Sequence, residues 1–98
     1  MNLNKGNTYN LYATIDNLDN IEKIVFAFNN IKKIYLADGT GDVEKVGDKL
    51  LIKLSQEETL GFDFLVEYQV AVKYKNDEVV RSYVKSTNAL RTIIEEAI

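Results

Sequence analysis

The segment 64–74 constrains the fold more than any other. Apolar residues fall at every second position, Phe64, Val66, Tyr68, Val70, Val72 and Tyr74, with Glu67, Gln69 and Lys73 between them. Successive side chains of a strand point to opposite faces, so this spacing predicts a strand with one face on a core and the other in water. The same period recurs along the chain. Tyr9, Leu11, Ala13 and Ile15 alternate with Thr8, Asn10, Tyr12 and Thr14. Ile24, Phe26 and Phe28 share a face with Val25 and Ala27 opposite, so both faces of that strand are expected to be partly covered. Ile34 and Leu36 mark a shorter strand, and residues 43–46 and 49–54 form a pair whose core face is Leu50, Ile52 and Leu54. A strand over 79–85 closes the series. A three-residue loop before it sets Val80, Ser82 and Val84 on the core face, whereas a loop of two or four exchanges the faces. Phe26, Phe28, Val70 and Val72 are the expected centre of the core.

Between these strands lie the residues that turn a chain. Asn, Asp and Gly tolerate left-handed backbone or bond their own main chain, and they cluster at 16–20, Asn29-Asn30, 38–42, Gly47-Asp48 and 76–78. Ser55-Gln56-Glu57-Glu58 places a serine three residues before a glutamate, the spacing of a capping box, and Gly61 can end what starts there. One helical turn is expected to bridge two strands. The tail changes period: Leu90, Ile93, Ile94, Ala97 and Ile98 follow amphipathic-helix spacing, with Thr87 or Asn88 as cap.

A chain of 98 residues builds one core. The expected organisation is a sandwich domain over 1–86 and a helical tail over 87–98 packed on it or on a partner. The expected fold class is all-β: an immunoglobulin-like antiparallel β-sandwich of about seven strands, with one short helical corner and a short C-terminal helix. The apolar stripe Leu90, Ile93, Ile94, Ala97 and Ile98 is the candidate partner interface, since a short helix at a chain end is marginal unless docked.

Several segments resemble a known family. Lys5-Gly6-Asn7-Thr8-Tyr9 resembles the K-G-D-T opening of small immunoglobulin-like domains in the tails and baseplates of phages of Gram-positive bacteria, including the N-terminal domain of the baseplate upper protein family. Leu54-Ser55-Gln56-Glu57-Glu58-Thr59 looks like the strand-to-helical-corner step of those domains. Val66-Glu67-Tyr68-Gln69-Val70 through Val79-Val80-Arg81-Ser82 is similar to their final hairpin, with Asn-Asp where a D-G turn is common. The resemblance implies a structural or adaptor role in a tail, baseplate or head-tail assembly, with other protein subunits, or the chain itself, as partners. It implies a virion destination for a protein made in the cytoplasm. The alternative is a small cytoplasmic binding module, either a phage-encoded inhibitor or a nucleic-acid-binding sandwich.

Composition narrows the chemistry. The chain has no histidine and no cysteine, which removes the usual general base near neutral pH, the thiolate nucleophile and the commonest soft metal ligands. No catalytic residue, cofactor or metal site is expected. The segment starting at Asp38 fails as a calcium loop: Thr40 stands at the third position, Val43 where glycine is needed, and Lys49 where the twelfth-position glutamate belongs. Glu57, Glu58, Asp63 and Glu67 are clustered acids around a corner and read as capping and solvated residues. Ser55, Ser82 and Ser86 carry no S-x-x-K or G-x-S-x-G pattern. A net charge of −3 disfavours a general attraction for nucleic acid or anionic membranes. One weak basic stripe, Lys73, Lys75, Arg81, Tyr83 and Lys85, is expected on one face of the last hairpin. No run of about 20 apolar residues marks a membrane span.

Overall fold

The computed structural model describes residues 2–62, 65–82 and 84–90. They form an all-β sandwich of two sheets. In chain order the elements are β1 (Asn2–Asn4), β2 (Tyr9–Thr14), a 3-10 turn (Leu18–Asn20), β3 (Ile21–Phe28), β4 (Ile31–Leu36), β5 (Glu44–Val46), β6 (Lys49–Leu54), α1 (Gln56–Leu60), β7 (Leu65–Tyr74), β8 (Val79–Arg81) and β9 (Lys85–Leu90). The larger sheet has the order β1-β9-β7-β3-β4, with β8 also paired to β7, and the smaller one the order β2-β6-β5. All pairings are antiparallel except that of β1 with β9.

Alternation decides which side chains fill the gap between the sheets. From the larger sheet come Leu3, Ile24, Phe26, Phe28, Tyr35 and Val66, and from the smaller one Leu50, Ile52 and Leu54, all buried. The helical corner forms as its sequence requires. The Ser55 hydroxyl accepts the Glu58 N–H at 3.2 Å, and the Glu58 carboxylate accepts the Ser55 N–H at 2.9 Å. Gly47 (φ 62°) and Asn29 (φ 53°) occupy two-residue hairpins, between Val46 and Lys49 and between Phe28 and Ile31. Asn29 does more than turn: its N–H donates to the Glu67 carbonyl and its Oδ1 accepts the Glu67 N–H, both at 2.8 Å, which prolongs the β3 to β7 ladder through the turn.

Four expectations need correction. There are nine strands among the described residues rather than seven, because β1 precedes the first expected strand and the last expected strand is two. Ser82 divides β8 from β9: its N–H donates to the Val70 carbonyl at 2.8 Å while its hydroxyl accepts the Val70 N–H at 3.0 Å, so side chain replaces main chain and the register slips there. The loop before β8 does have three residues, Lys75, Asn76 and Asp77, with the last at φ 71°. Val80 accordingly lies opposite Val72, but it is 55% exposed, and Ser82 and Val84 are exposed as well, so none of the three is buried as expected.

The proposed boundary at residue 87 also fails. Thr87 and Asn88 cap no helix; with Ala89 and Leu90 they complete β9, between β1 and β7. A β-branched residue opposite the fully buried Val66, in the ladder with β7, gains more from the sheet than from a helix end. Residues 91–98 lie outside the described part, and with them Ile93, Ile94, Ala97 and Ile98 of the apolar stripe; Leu90 is the last residue of β9.

The Thr87 Oγ1 is buried and has no hydrogen-bond partner among the described residues. Thr87→Val should therefore leave stability unchanged or raise it by up to about 1 kcal/mol, read as the urea midpoint, because an isosteric methyl has no hydrogen bond to lose. A loss above 1 kcal/mol would reveal a partner for that hydroxyl.

Candidate interaction surfaces

Register places the expected basic stripe differently from the sequence. Lys73 faces Val79, and Ala71 faces Arg81, on the outer side of the larger sheet. Lys85 faces Tyr68, whose neighbours Val66 and Val70 turn inward, so it stands on the opposite side from Arg81. The register slip at Ser82 is the cause. Lys75 belongs to the turn, and Tyr83 lies outside the described residues. Lys73 approaches Glu22 at 3.5 Å and Asp77 at 3.8 Å, which offsets its charge.

What the outer side carries instead is an apolar centre with a basic rim. One row across the strands reads Ile34, Val25, Ala71 and Arg81, and the next reads Leu36, Lys23, Lys73 and Val79. Lys32 and Ala27 follow on the other side. Ile34, Val25, Leu36, Ala27 and Ala71 are all half-buried, and Val79 is 48% exposed. Lys23, Lys32 and Arg81 have no ion-pair partner among the described residues. The sequence showed Val25 and Ala27 facing away from the core; it did not align them with Ile34 or place Lys23 and Lys32 beside them. The signal was present in Asn29-Asn30, since a two-residue hairpin there fixes every β3 to β4 pair.

The sheet edges differ in how they are protected. Beyond β4, the Asp42 carboxylate accepts the Ile34 N–H at 3.3 Å and the Val43 N–H donates to the Ile34 carbonyl at 3.1 Å, so the loop covers that edge. Gly41 makes this approach possible, because a Cβ there would come within 2.3 Å of the Ile34 carbonyl oxygen. The calcium reading of this loop gains nothing from its geometry. Asp42 is turned to β4, while Asp38 accepts the Thr40 hydroxyl at 2.7 Å and the Thr40 N–H at 3.0 Å, bonds that hold its carboxyl below the usual range. No group of three or more acids that could hold a metal ion occurs among the described residues.

The clustered acids at the corner do not converge either. Glu58 is 2.8 Å from the Lys33 ammonium, which reaches across from β4, whereas Glu67 lies on the outer side of β7 opposite Ser86; Asp63 is outside the described residues. Partial burial raises the Glu58 pKa, but the hydrogen bond from Lys33, the Ser55 N–H and the Lys33 charge together outweigh it, so the net shift is downward. A depressed carboxyl contributes stability that is present above its unfolded value near 4.5 and is lost as pH falls through its folded value. Glu58→Gln keeps a capping partner and removes the ion pair. It should cost about 0.5–1 kcal/mol at pH 7 and almost nothing at pH 3, measured by urea unfolding. Equal costs at both pH values would mean that the pair does not contribute.

The hollows on the surface are shallow. One of about 320 Å³ is lined by Asn17, Asn20, Tyr74 and Asn76, and one of about 440 Å³ by Tyr35, Gly41, Val43 and Lys45. Neither holds a nucleophile beside a base. Among the described residues no helix is long and apolar enough to cross a membrane. Comparison with known proteins finds no matching family model, no matching curated protein and no matching solved structure.

Proposed function

We propose that this chain is a non-enzymatic structural or adaptor protein of a phage tail, baseplate or head-tail assembly, of immunoglobulin-like type, working through protein-protein contacts. The observation that carries the reading is the outer side of the larger sheet, where Val25, Ala27, Ile34, Leu36 and Ala71 form an apolar centre bordered by Lys23, Lys73, Lys32 and Arg81. An antiparallel sheet with one face in water ordinarily alternates apolar inward and polar outward; a second apolar face favours a protein neighbour. The partner surface that fits is apolar at its centre and acidic at its margin.

The sheet orders support the immunoglobulin-like part of the reading. A β2-β6-β5 sheet faces a sheet in which β9, β7, β3 and β4 are successive neighbours, the helical corner joins β6 to β7, and β1 runs parallel to the last strand. The phage part of the reading rests on the resemblance of the opening, corner and hairpin segments. Two of these segments, the opening and the corner, meet: the Thr59 hydroxyl accepts the Gly6 N–H at 3.0 Å and lies 2.8 Å from the Asn7 carbonyl. The non-enzymatic part rests on the absence of histidine and cysteine and on the structural employment of Ser55 and Ser82.

The test is mass spectrometry of purified phage particles from producing cells, paired with an Ala71→Glu variant. The chain should occur in particles at fixed stoichiometry with a neighbouring subunit, and Ala71→Glu should lose that subunit at an unchanged melting temperature. A chain absent from particles and bound to one soluble host protein would instead establish the cytoplasmic binding module.

A further inference from the structure

Among the described residues, strand β2 is an unguarded edge. It lies at the end of the smaller sheet and pairs with β6 on one side only. No main-chain bond from another described segment reaches its free side. A strand in that position presents a row of unpaired N–H and C=O groups, and proteins normally blunt such a row with charge, proline, a bulge, short length or a cover. The other edges of this molecule use these devices. β4 is covered by Asp42 and Val43; β5 is three residues long with two charges, Glu44 and Lys45; β1 and β8 are three residues each. Among the described residues, β2 uses none of them. It spans six residues, Tyr-Asn-Leu-Tyr-Ala-Thr, with no charge and no proline, holds an unbroken register with β6, and has no positive φ.

We propose that β2 pairs antiparallel with β2 of a second copy of this chain, across a two-fold axis at Tyr12, joining two three-stranded sheets into one of six. This goes beyond the adaptor reading, which concerns the outer side of the other sheet, and stands whether or not that reading holds. The strand is complementary to itself in this register. For both copies to keep their inner faces on the same side, opposing residues must have the same parity, which an axis through a residue provides. With the axis at Tyr12, the two Tyr12 rings meet on the outer face, where each is 60% exposed in the single chain. Asn10 then opposes the partner copy's Thr14, and Leu11 its Ala13, so an aromatic pair, a hydrogen-bonding pair and an aliphatic pair form with no like charges opposed. Main-chain hydrogen bonds supply the attraction, as in other cases of strand addition.

An edge-to-edge contact buries less than a standard interface, so the dimer should be weak and concentration-dependent. Sedimentation velocity from about 10 µM to 1 mM is the measurement, in the range expected for a small interface. The wild-type chain should pass from monomer to dimer across it. Tyr12→Lys should raise the dissociation constant about tenfold or more, because it sets two ammonium groups opposite each other and removes the ring pair. Mixing Tyr12→Lys with Tyr12→Glu should restore association as a heterodimer, which no effect on folding alone can do. The chain has no cysteine, so Tyr12→Cys can be oxidised cleanly; it should give a disulfide-linked dimer where Val46→Cys, on the β5 edge, does not. Ala71→Glu, on the other sheet, should leave the dimer intact, so failure of the adaptor reading and of this one are told apart. A monomer throughout the range, equal association by Tyr12→Lys, or a Lys and Glu mixture that stays monomeric would each overturn the proposal.

Discussion

Thr59→Val should lower the melting temperature by about 10–20 °C, the equivalent of about 2–3 kcal/mol in a domain of this size. The threonine side chain is wholly buried yet polar, and its hydroxyl stands where the chain passes from one sheet to the other. Between β1 and β2 the backbone turns through Gly6 at φ 86°, and the freed N–H of Gly6 donates to Thr59 Oγ1 at 3.0 Å. The hydroxyl proton goes to the Asn7 carbonyl at 2.8 Å or, one helical turn back, to the Gln56 carbonyl at 3.1 Å. Valine fills the same volume and satisfies neither neighbour. Most of the cost comes from the half-buried Gly6 N–H, since the exposed Asn7 can turn to water. Thr59→Ser keeps the hydroxyl and should recover at least half of the loss. If valine is tolerated and serine is not, the methyl group matters and the hydrogen bonds do not.

This junction also shows what the sequence could and could not disclose. The two segments that form it, Lys5 to Tyr9 and Leu54 to Thr59, were singled out for their pattern, and the capping box was read correctly down to its two bonds. Their meeting was not readable, because the partners are 53 residues apart and nothing local in either specifies the other. The same division runs through the fold. Period-2 alternation located β2, β3, β6 and β7, and short turns of Gly and Asn located their hairpins, since both signals are contained within a few residues. β1 has three residues and becomes a strand only by lying beside β9, so no local period announces it. β9 misled for the converse reason: Leu90 does stand at helical spacing from Ile93 and Ile94, but the ladders to β1 and β7 claim Thr87 to Leu90 first. The basic stripe failed at one residue. Ser82 substitutes side-chain for main-chain pairing, and a single slip there sends Lys85 to the face opposite Arg81. The apolar outer face, in turn, needs three strands in register at once, which alternation along one strand cannot supply.

Ile24→Ala should cost about 2–5 kcal/mol, a large fraction of the roughly 5–10 kcal/mol that hold a domain of this size folded, whereas Val70→Ala should cost about 1. Both residues lie on inward faces of adjacent strands, Ile24 opposite Val72 and Phe26 opposite Val70, and alternation alone treats them as equals. Their surroundings differ. Ile24 is 0% exposed within the cluster that includes Leu50, Ile52 and Leu54, so its deletion leaves a cavity that the two sheets cannot close. Val70 and Val72 are only half-buried, and Val80, opposite Val72, is 55% exposed. The smaller sheet has three strands against six, too few to cover the whole inner face of the larger one. Charge should sharpen the contrast. At Val70 an aspartate can turn its carboxylate to water and should cost about 1–3 kcal/mol; at Ile24 the same residue has no route to solvent and should leave the chain unfolded at 25 °C. Urea titrations of the four variants, followed by tyrosine fluorescence, separate these cases. If Val70→Asp unfolds the domain as completely as Ile24→Asp, then the inner face of β7 is covered along its whole length, and the apolar side chains at the β7 and β8 end belong to a core rather than to its margin.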